Sequence, residues 1–357
     1  MADSSALLTA VRGLFRDGAT PADFAPFDEV ELAAREERVV LLLADRLRIP
    51  GFEEELRENA VFEAVRTHEL RAVLAALSAA GVRPVLLKGA SIARTHYPRP
   101  ELRPRMDTDL MIPASAKDAV AAALVPLGYR RKSEIGGEIA VGQFHFQKQD
   151  PHGTLHALDV HWRVSNARVF ADVLTYEELA RDAVPLRALG DDARGTSSVH
   201  GLLLACVHLV AHHSKGHDLL WLFDIHLLAR SLSAREREEF IALASARRMR
   251  AVCAHTLTLA RDAIGGIDAR LIEALSEPGM FSEPSAAFLS GGIRQVDILR
   301  SDLAATPGWP TRLRLIREHL FPSAEFMYDR YRTRTAAALP WLYLRRIVTG
   351  LPKWFRR

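Results

Sequence analysis

Two aspartates one residue apart, Asp107 and Asp109, are the residues of this chain best suited to chemistry. The run Thr108-Asp109-Leu110-Met111-Ile112 reads as a short strand closed by Pro113. Alternate residues of a strand share a face, so Asp107 and Asp109 project one way while Thr108, Leu110 and Ile112 face a core. Two residues of strand rise put their Cα atoms about 7 Å apart, within reach of one hard cation. Like charges held side by side raise each other's energy unless a cation or an arginine neutralises them. The same pair could instead be a solvated strand edge whose charge discourages further pairing. A third carboxylate, Asp159, sits in the strand-like run 155–164, where it shares a polar face with His161 and Arg163. Leu158, Val160 and Trp162 take the opposite face.

These side chains need elements to hold them. Residues 83–91 read as a strand entering a turn at Gly89, and a helix-like segment follows over 92–97. A strand that enters a helix through glycine exposes backbone N–H groups suited to a phosphate. Lys88 either meets that phosphate as a compact positive charge or is a strand-end lysine in water. Arg103 and Arg105, just before the aspartates, either contact phosphates or reduce the repulsion between carboxylates. His145 and His161 are hydrogen-bonded structural histidines or, alternatively, groups that contact a base or move a proton.

A phosphate-cradling turn, a paired carboxylate on the next strand and a single carboxylate on a later one form a known plan. The chain resembles the polymerase-β-like nucleotidyltransferase superfamily and, within it, an uncharacterised bacterial nucleotidyltransferase family. The resemblance is carried by Leu87-Lys88-Gly89, by residues 105–112, by Asp159-Val160-His161-Trp162-Arg163 and by Trp221-Leu222-Phe223-Asp224-Ile225. A basic stretch around Phe321-Pro322-Ser323 also fits, so the likeness runs over roughly residues 80–350. Two features depart from the superfamily's pattern. Gly89 is followed by Ala90, with Ser91 only after it, and 18 positions separate Gly89 from Asp107 across a Pro-rich, Arg-bearing loop.

The resemblance implies an α+β nucleotidyltransferase core flanked by N-terminal helices and a C-terminal helical domain. It implies transfer of a nucleoside monophosphate from a nucleoside triphosphate (NTP) to an acceptor that is a small molecule, a peptide or RNA. Asp107, Asp109 and Asp159 would be the catalytic residues and would hold two Mg²⁺ ions. Lys88, Gly89, Ser91, Arg105 and Lys215 would bind the nucleotide and its phosphates, and Asp224 would fix a helix pair over the cleft. A non-catalytic nucleotide-binding or regulatory protein of the same fold is one alternative. An HD-like metal phosphohydrolase is another, built on His208, His212, His213, His217 and Asp218. His208 and His212 lie four apart and share a helix face, a spacing compatible with one metal.

The whole chain sets the frame. At 357 residues, 25% charged and 48% hydrophobic, it is an ordinary globular protein rather than a disordered one. The periodicity predicts an N-terminal helical region over 1–80, a core over 81–190 and a helical domain over 196–357, with 190–195 as the linker. Helices are expected over 31–48, ending at Pro50-Gly51, and over 53–80, ending at Gly81. Ser115 opens another with a capping-box-like spacing, and Gly128 ends it. Asp150-Pro151-His152-Gly153 should turn an antiparallel hairpin. The longest apolar run, near 202–211, is shorter than the ~20 residues of a membrane span. The opening residues lack a basic n-region, and Cys206 and Cys253 read as reduced, buried thiols. A cytoplasmic protein is expected.

Residues 1–80 carry 15 acidic and 9 basic side chains (−6), whereas 311–357 carry 3 and 11 (+8). Pairing between the two ends is favoured over a nucleic-acid or membrane partner. At the C-terminal end, Leu342, Leu344, Ile347 and Leu351 approximate one buried helix face, with Arg345 and Arg346 turned outward.

Overall fold

The computed structural model describes residues 9, 11–16, 27–132, 137, 139–212, 219–289 and 295–354. Helices α1 (Phe27–Glu36), α2 (Val40–Leu47) and α3 (Glu53–Ala79) lead into a mixed sheet. The sheet region runs β1 (Val85–Leu86), α4 (Lys88–Thr95), β2 (Thr108–Met111), α5 (Lys117–Leu124), β3 (Arg130–Arg131), β4 (Gln143–Gln149), β5 (Leu155–His161), α6 (Tyr176–Arg181), β6 (Val184–Pro185) and β7 (Arg194–Gly195). The rest is helical: α7 (Ser198–His212), α8 (Leu219–Ser231), α9 (Ala234–Ala246), α10 (Arg250–Ile264), α11 (Ala269–Leu275), α12 (Gln295–Ala305), α13 (Trp309–Leu320), α14 (Ala324–Tyr331) and α15 (Leu339–Trp354). The fold is α+β with a helical C-terminal region.

The seven strands lie in the order β3-β4-β5-β2-β1-β7-β6. β2 pairs with β5, and β1 with β7, in parallel; the other pairs are antiparallel. Strand alternation makes this sheet a wall between two cores. Leu86, Leu110, Ile112 and Val160 pack beneath Leu70, Val73 and Leu77 of α3. Val85 and Met111, one residue out of phase, belong to the other core with Leu203, Cys206, Leu220, Ile225 and Leu257 of the helical region. β2 is therefore buried on both faces. Asp109 shares its face with Met111 and so looks toward the helices. The first 80 residues contribute to both cores, α3 to one and Val30 and Leu43 to the other.

Four local expectations are revised. The helix expected over 31–48 is two helices, because Arg38 adopts a left-handed backbone at φ +61°. Next to it, buried Glu37 accepts a hydrogen bond from the Leu219 N–H at the start of α8 and pairs with Arg12. That bond satisfies a helix-end donor and holds the α1–α2 junction against the C-terminal helices. Helix α4 starts at Lys88, four residues before the expected position. The segment expected as a linker contains β7, the parallel neighbour of β1. Ser115 makes no cap to α5, which follows Ala116 with no side-chain hydrogen bond. Complete capping boxes occur instead at Thr175 with Glu178 and at Ser233 with Glu236.

The β4–β5 hairpin and the stops at Gly81 (φ +74°) and Gly128 (φ +88°) are as expected. Cys206 and Cys253 are buried and free. In α15, Leu342 is buried but Leu344 is 53% exposed, so the anticipated apolar face is covered only in part. No helix among the described residues is long and apolar enough to cross a membrane.

Candidate active site

Parallel pairing of β2 with β5 puts Asp109 directly beside Asp159. Paired positions of adjacent strands share a face, so the two carboxylates converge rather than straddle the sheet. Met111 pairs in the same register with His161. One ligand atom from each of Asp109, Asp159 and His161 lies within 4.8 Å of the others. His161 Nε2 stands 2.8 Å from Asp109 Oδ1, and Lys88 Nζ donates to that same oxygen at 2.6 Å. Lys88 reaches it from a left-handed backbone (φ +46°) at the start of α4, a conformation uncommon outside glycine. His145 on β4, paired with Asp159, brings its Nδ1 to 3.4 Å from the Asp159 carboxylate. Asp107, just ahead of β2, is exposed and lines the same cavity as Lys88, Gly89 and Asp109.

The electrostatics are lopsided: three carboxylates share a single lysine. Burial pushes the Asp109 carboxyl up, but Lys88 and His161 outweigh it and hold Asp109 well below the ordinary carboxylate range. Burial pushes the Lys88 ammonium down, yet Asp109, with Asp107 and Asp159 behind it, leaves it raised. Asp159 has no such partner. Burial first, then Asp109 and Asp107, push its carboxyl up to about 6. Loss of water in the cleft, then Asp109, raise Asp107 as well.

Across the cavity a second polar group is balanced. Arg103 forms an ion pair with Asp224 at 2.6 Å and adds two bonds from Nε at 3.2 Å. Tyr97 donates to the same carboxylate at 2.8 Å. Burial lowers the affinity of Arg103 for its proton, but Asp224 outweighs that and keeps it above its ordinary value. Gly89 is needed here, because a Cβ would lie 2.3 Å from Arg103 Nη1 and 2.7 Å from its Cζ.

The remaining expected residues are placed as follows. Arg105 lines the cavity but is buried, with Nη1 2.9 Å from Glu63. Arg94 binds the same carboxylate at 2.7 Å, so two guanidinium groups share one Glu63. Nε and Nη2 of Arg105 are buried with no hydrogen-bond partner, and burial lowers its pKa to about 10. Ser91 is turned away from the cavity. Its hydroxyl is fully buried and accepts the Thr196 N–H at 3.0 Å, tying α4 to the segment after β7. A Cβ on Gly195 would come within 2.4 Å of that oxygen. Lys215 lies outside the described residues, as do His213, His217, Asp218 and the His212 side chain. His208 is half-buried and stands edge-on to Trp221 at 5.7 Å. Asp224, on α8, accepts bonds from Arg103 and Tyr97.

His161, read from the sequence as a hydrogen-bonded histidine on the Asp159 face, bonds to Asp109 and so joins the two strand aspartates. Arg38 and Trp221 line the cavity from the helical side, and nothing in the sequence spacing ties residue 38 to residue 221.

Among the solved structures similar to parts of the chain are the following two. ANT(2″)-Ia in complex with adenylyl-2″-tobramycin is 19% identical, with 52% of this chain and 98% of that one covered and a TM-score of 0.37. JHP933 from Helicobacter pylori is 18% identical, with 64% and 93% covered and a TM-score of 0.33. Likenesses this distant have no bearing on substrate. No curated protein matches the chain. The sequence profile of the family described as "Uncharacterised nucleotidyltransferase" matches residues 33–265. It starts and ends earlier than the 80–350 read from the sequence, and it takes in the α1–α2 junction together with the strand aspartates. With that match over most of its 357 residues, the chain belongs to the uncharacterised nucleotidyltransferase family.

Proposed function

We propose that this cleft transfers a nucleoside monophosphate from an NTP to a hydroxyl or phosphate on a small-molecule, peptide or RNA acceptor. The observation that carries the reading is the β2–β5 register, which sets Asp159 beside Asp109, a residue that lines one cavity with Lys88 and Asp107.

The donor set fits a divalent cation. Carboxylate oxygens suit hard ions such as Mg²⁺, and a cluster with three negative charges against one lysine is relieved by a positive ion. Asp107, Asp109 and Asp159 are the residues that would hold Mg²⁺, two ions in this reading, with His161 as a positioning partner of Asp109. When bound, Mg²⁺ would supply charge neutralisation to the phosphoryl oxygens during in-line displacement.

The chain's own groups do the rest. Lys88, at the start of α4, offers a positive charge to the phosphates and already neutralises Asp109 in part. Gly89, in the N-terminal turn of α4, lines the same cavity, and the N–H groups that open a helix suit a phosphate. Arg105 supplies N–H groups that an anionic oxygen would satisfy. Lys215 is proposed to join them from the segment before α8. Asp159, which has no lysine of its own, is placed to take the acceptor's proton. His145, beside it, can receive that proton or orient the carboxylate. Buried free cysteines favour a reducing, cytoplasmic setting.

The test is transfer of label from α-³²P NTPs into a cell extract, with and without Mg²⁺. Wild-type protein should label an acceptor, and Asp109→Asn should not. Equal labelling by both would remove the strand aspartates from the chemistry. Retained divalent-cation binding in the aspartate variant with loss in His208→Ala would favour the metal phosphohydrolase.

A further inference from the structure

The cavity of about 240 Å³ is lined by charged groups, Lys88, Arg105, Asp107 and Asp109, and by apolar and aromatic ones, Ile92, Ala205, His208 and Trp221. Such a mixed lining suits a ligand that joins a flat apolar group to a polyanion. Arg105 independently calls for an anion, because two of its buried nitrogens have no partner among the described residues and it shares the Glu63 carboxylate with Arg94.

Resting on the nucleotidyl-transfer reading above, we infer that Trp221 and Arg38 form the nucleobase subsite. Trp221 is half-buried: it packs against the helical core and also lines the cavity. His208 fixes its plane from the side, with the two rings 78° apart. The Arg38 guanidinium stands 5.6 Å from the Trp221 ring centroid. Arg38 is the left-handed residue that ends α1, and its neighbour Glu37 takes the first N–H of the helix that carries Trp221, which ties the two elements together. An indole face stacks on any base, and a guanidinium, which has donors only, bonds the acceptor atoms on the base's edge. Residues far apart in sequence thus act together, and the N-terminal helices become part of the site.

Binding separates the two readings. The four ribonucleoside triphosphates and inorganic tripolyphosphate, each with Mg²⁺, are titrated into wild-type protein, Trp221→Leu, Trp221→Phe and Arg38→Gln. At least one nucleotide should bind wild-type protein more tightly than tripolyphosphate does and should quench tryptophan emission, whereas tripolyphosphate should not. Trp221→Leu should weaken that nucleotide by about tenfold or more and leave tripolyphosphate unchanged. Trp221→Phe should keep most of the affinity, and Arg38→Gln should lose part of it. Nucleotide binding that survives Trp221→Leu, or that leaves wild-type emission unchanged, sinks the subsite while the transfer reading stands. Equal loss of tripolyphosphate in Trp221→Leu also sinks it, because Trp221 would then only support the cleft. Wild-type protein that binds neither nucleotide nor tripolyphosphate sinks the transfer reading and the subsite together.

Discussion

Two polar clusters face one another across the cleft, and they are built on opposite principles. Arg103, Asp224 and Tyr97 are buried and mutually satisfied: one cation, one anion and a hydroxyl whose bonds close on each other. Asp107, Asp109 and Asp159 face a single lysine, and burial, then the charges of Asp109 and Asp107, push Asp159 up to about 6. A closed cluster holds elements in place, here α8 against the loop before β2. An open one stores unfavourable charge that folding alone does not require, and such a store marks a binding site. Proximity alone therefore does not separate structure from function; residual charge does.

The contrast is most sharply broken by exchanging the properties of the two clusters. Asp109→Asn should reduce transfer by at least a thousandfold while the protein stays folded, read by initial rates and a melting curve. An outright Asp109→Ala is the poorer choice, because Asp109 is buried against Lys88 and His161 and not a solvated strand residue. Asp224→Asn should instead act on stability. It leaves Arg103 charged and buried without its partner, a loss of about 3–5 kcal/mol by denaturant unfolding, with catalysis impaired only as far as folding is.

Gly89→Ala tests the link between the walls. Its methyl would overlap the Arg103 guanidinium, which Asp224 holds in place, so the expected penalty is about 1–3 kcal/mol together with weaker nucleotide binding. Normal stability in this variant would show that Arg103 can shift freely. Asp159→Asn should do the reverse of Asp224→Asn. In metal-free protein it removes a repelled charge, so the melting temperature should rise by a few degrees. Millimolar Mg²⁺ should raise that of wild-type protein and leave the variant unchanged.

The smallest expected effect lies in the helical half. Burial lowers the pKa of His200, chiefly, with Asp182 opposing, and burial likewise lowers that of His96. Both take up a proton more readily once unfolded. Their contribution is therefore fully present above the ordinary histidine pKa of about 6.5 and is lost as pH falls through it. Melting temperature should decline from pH 7 to pH 5, and His200→Gln should flatten part of that decline.

The strand aspartates were legible because a period of two and a change from apolar to acidic residues survive in local sequence. Asp107, Asp109 and Asp159 could be read that way, as could the hairpin around Asp150. The break between α1 and α2 was not legible, since the periodicity of 31–48 continues through it and an arginine, not a glycine, takes the left-handed backbone that ends α1. The linker reading of 190–195 failed for a related reason. Gly190, Asp191 and Asp192 look like loop chemistry, yet Gly195 has a packing role against Ser91 that only β7 pairing reveals. Ser91 itself shows how a hydroxyl beside a phosphate-like turn can be consumed by the fold. At the C-terminal end, composition foretold a buried face, but Trp341, Leu344 and Val348 remain more than half exposed. Helical spacing specifies a face but not the surface that covers it.

The most direct measurement is a crystal structure with Mg²⁺ and a non-hydrolysable NTP analogue. The prediction is one or two ions between the triphosphate and Asp107, Asp109 and Asp159, with Lys88 and Arg105 on phosphate oxygens. A triphosphate bound elsewhere, or ions gathered around His208 with the strand aspartates still tied only to Lys88 and His161, would contradict it.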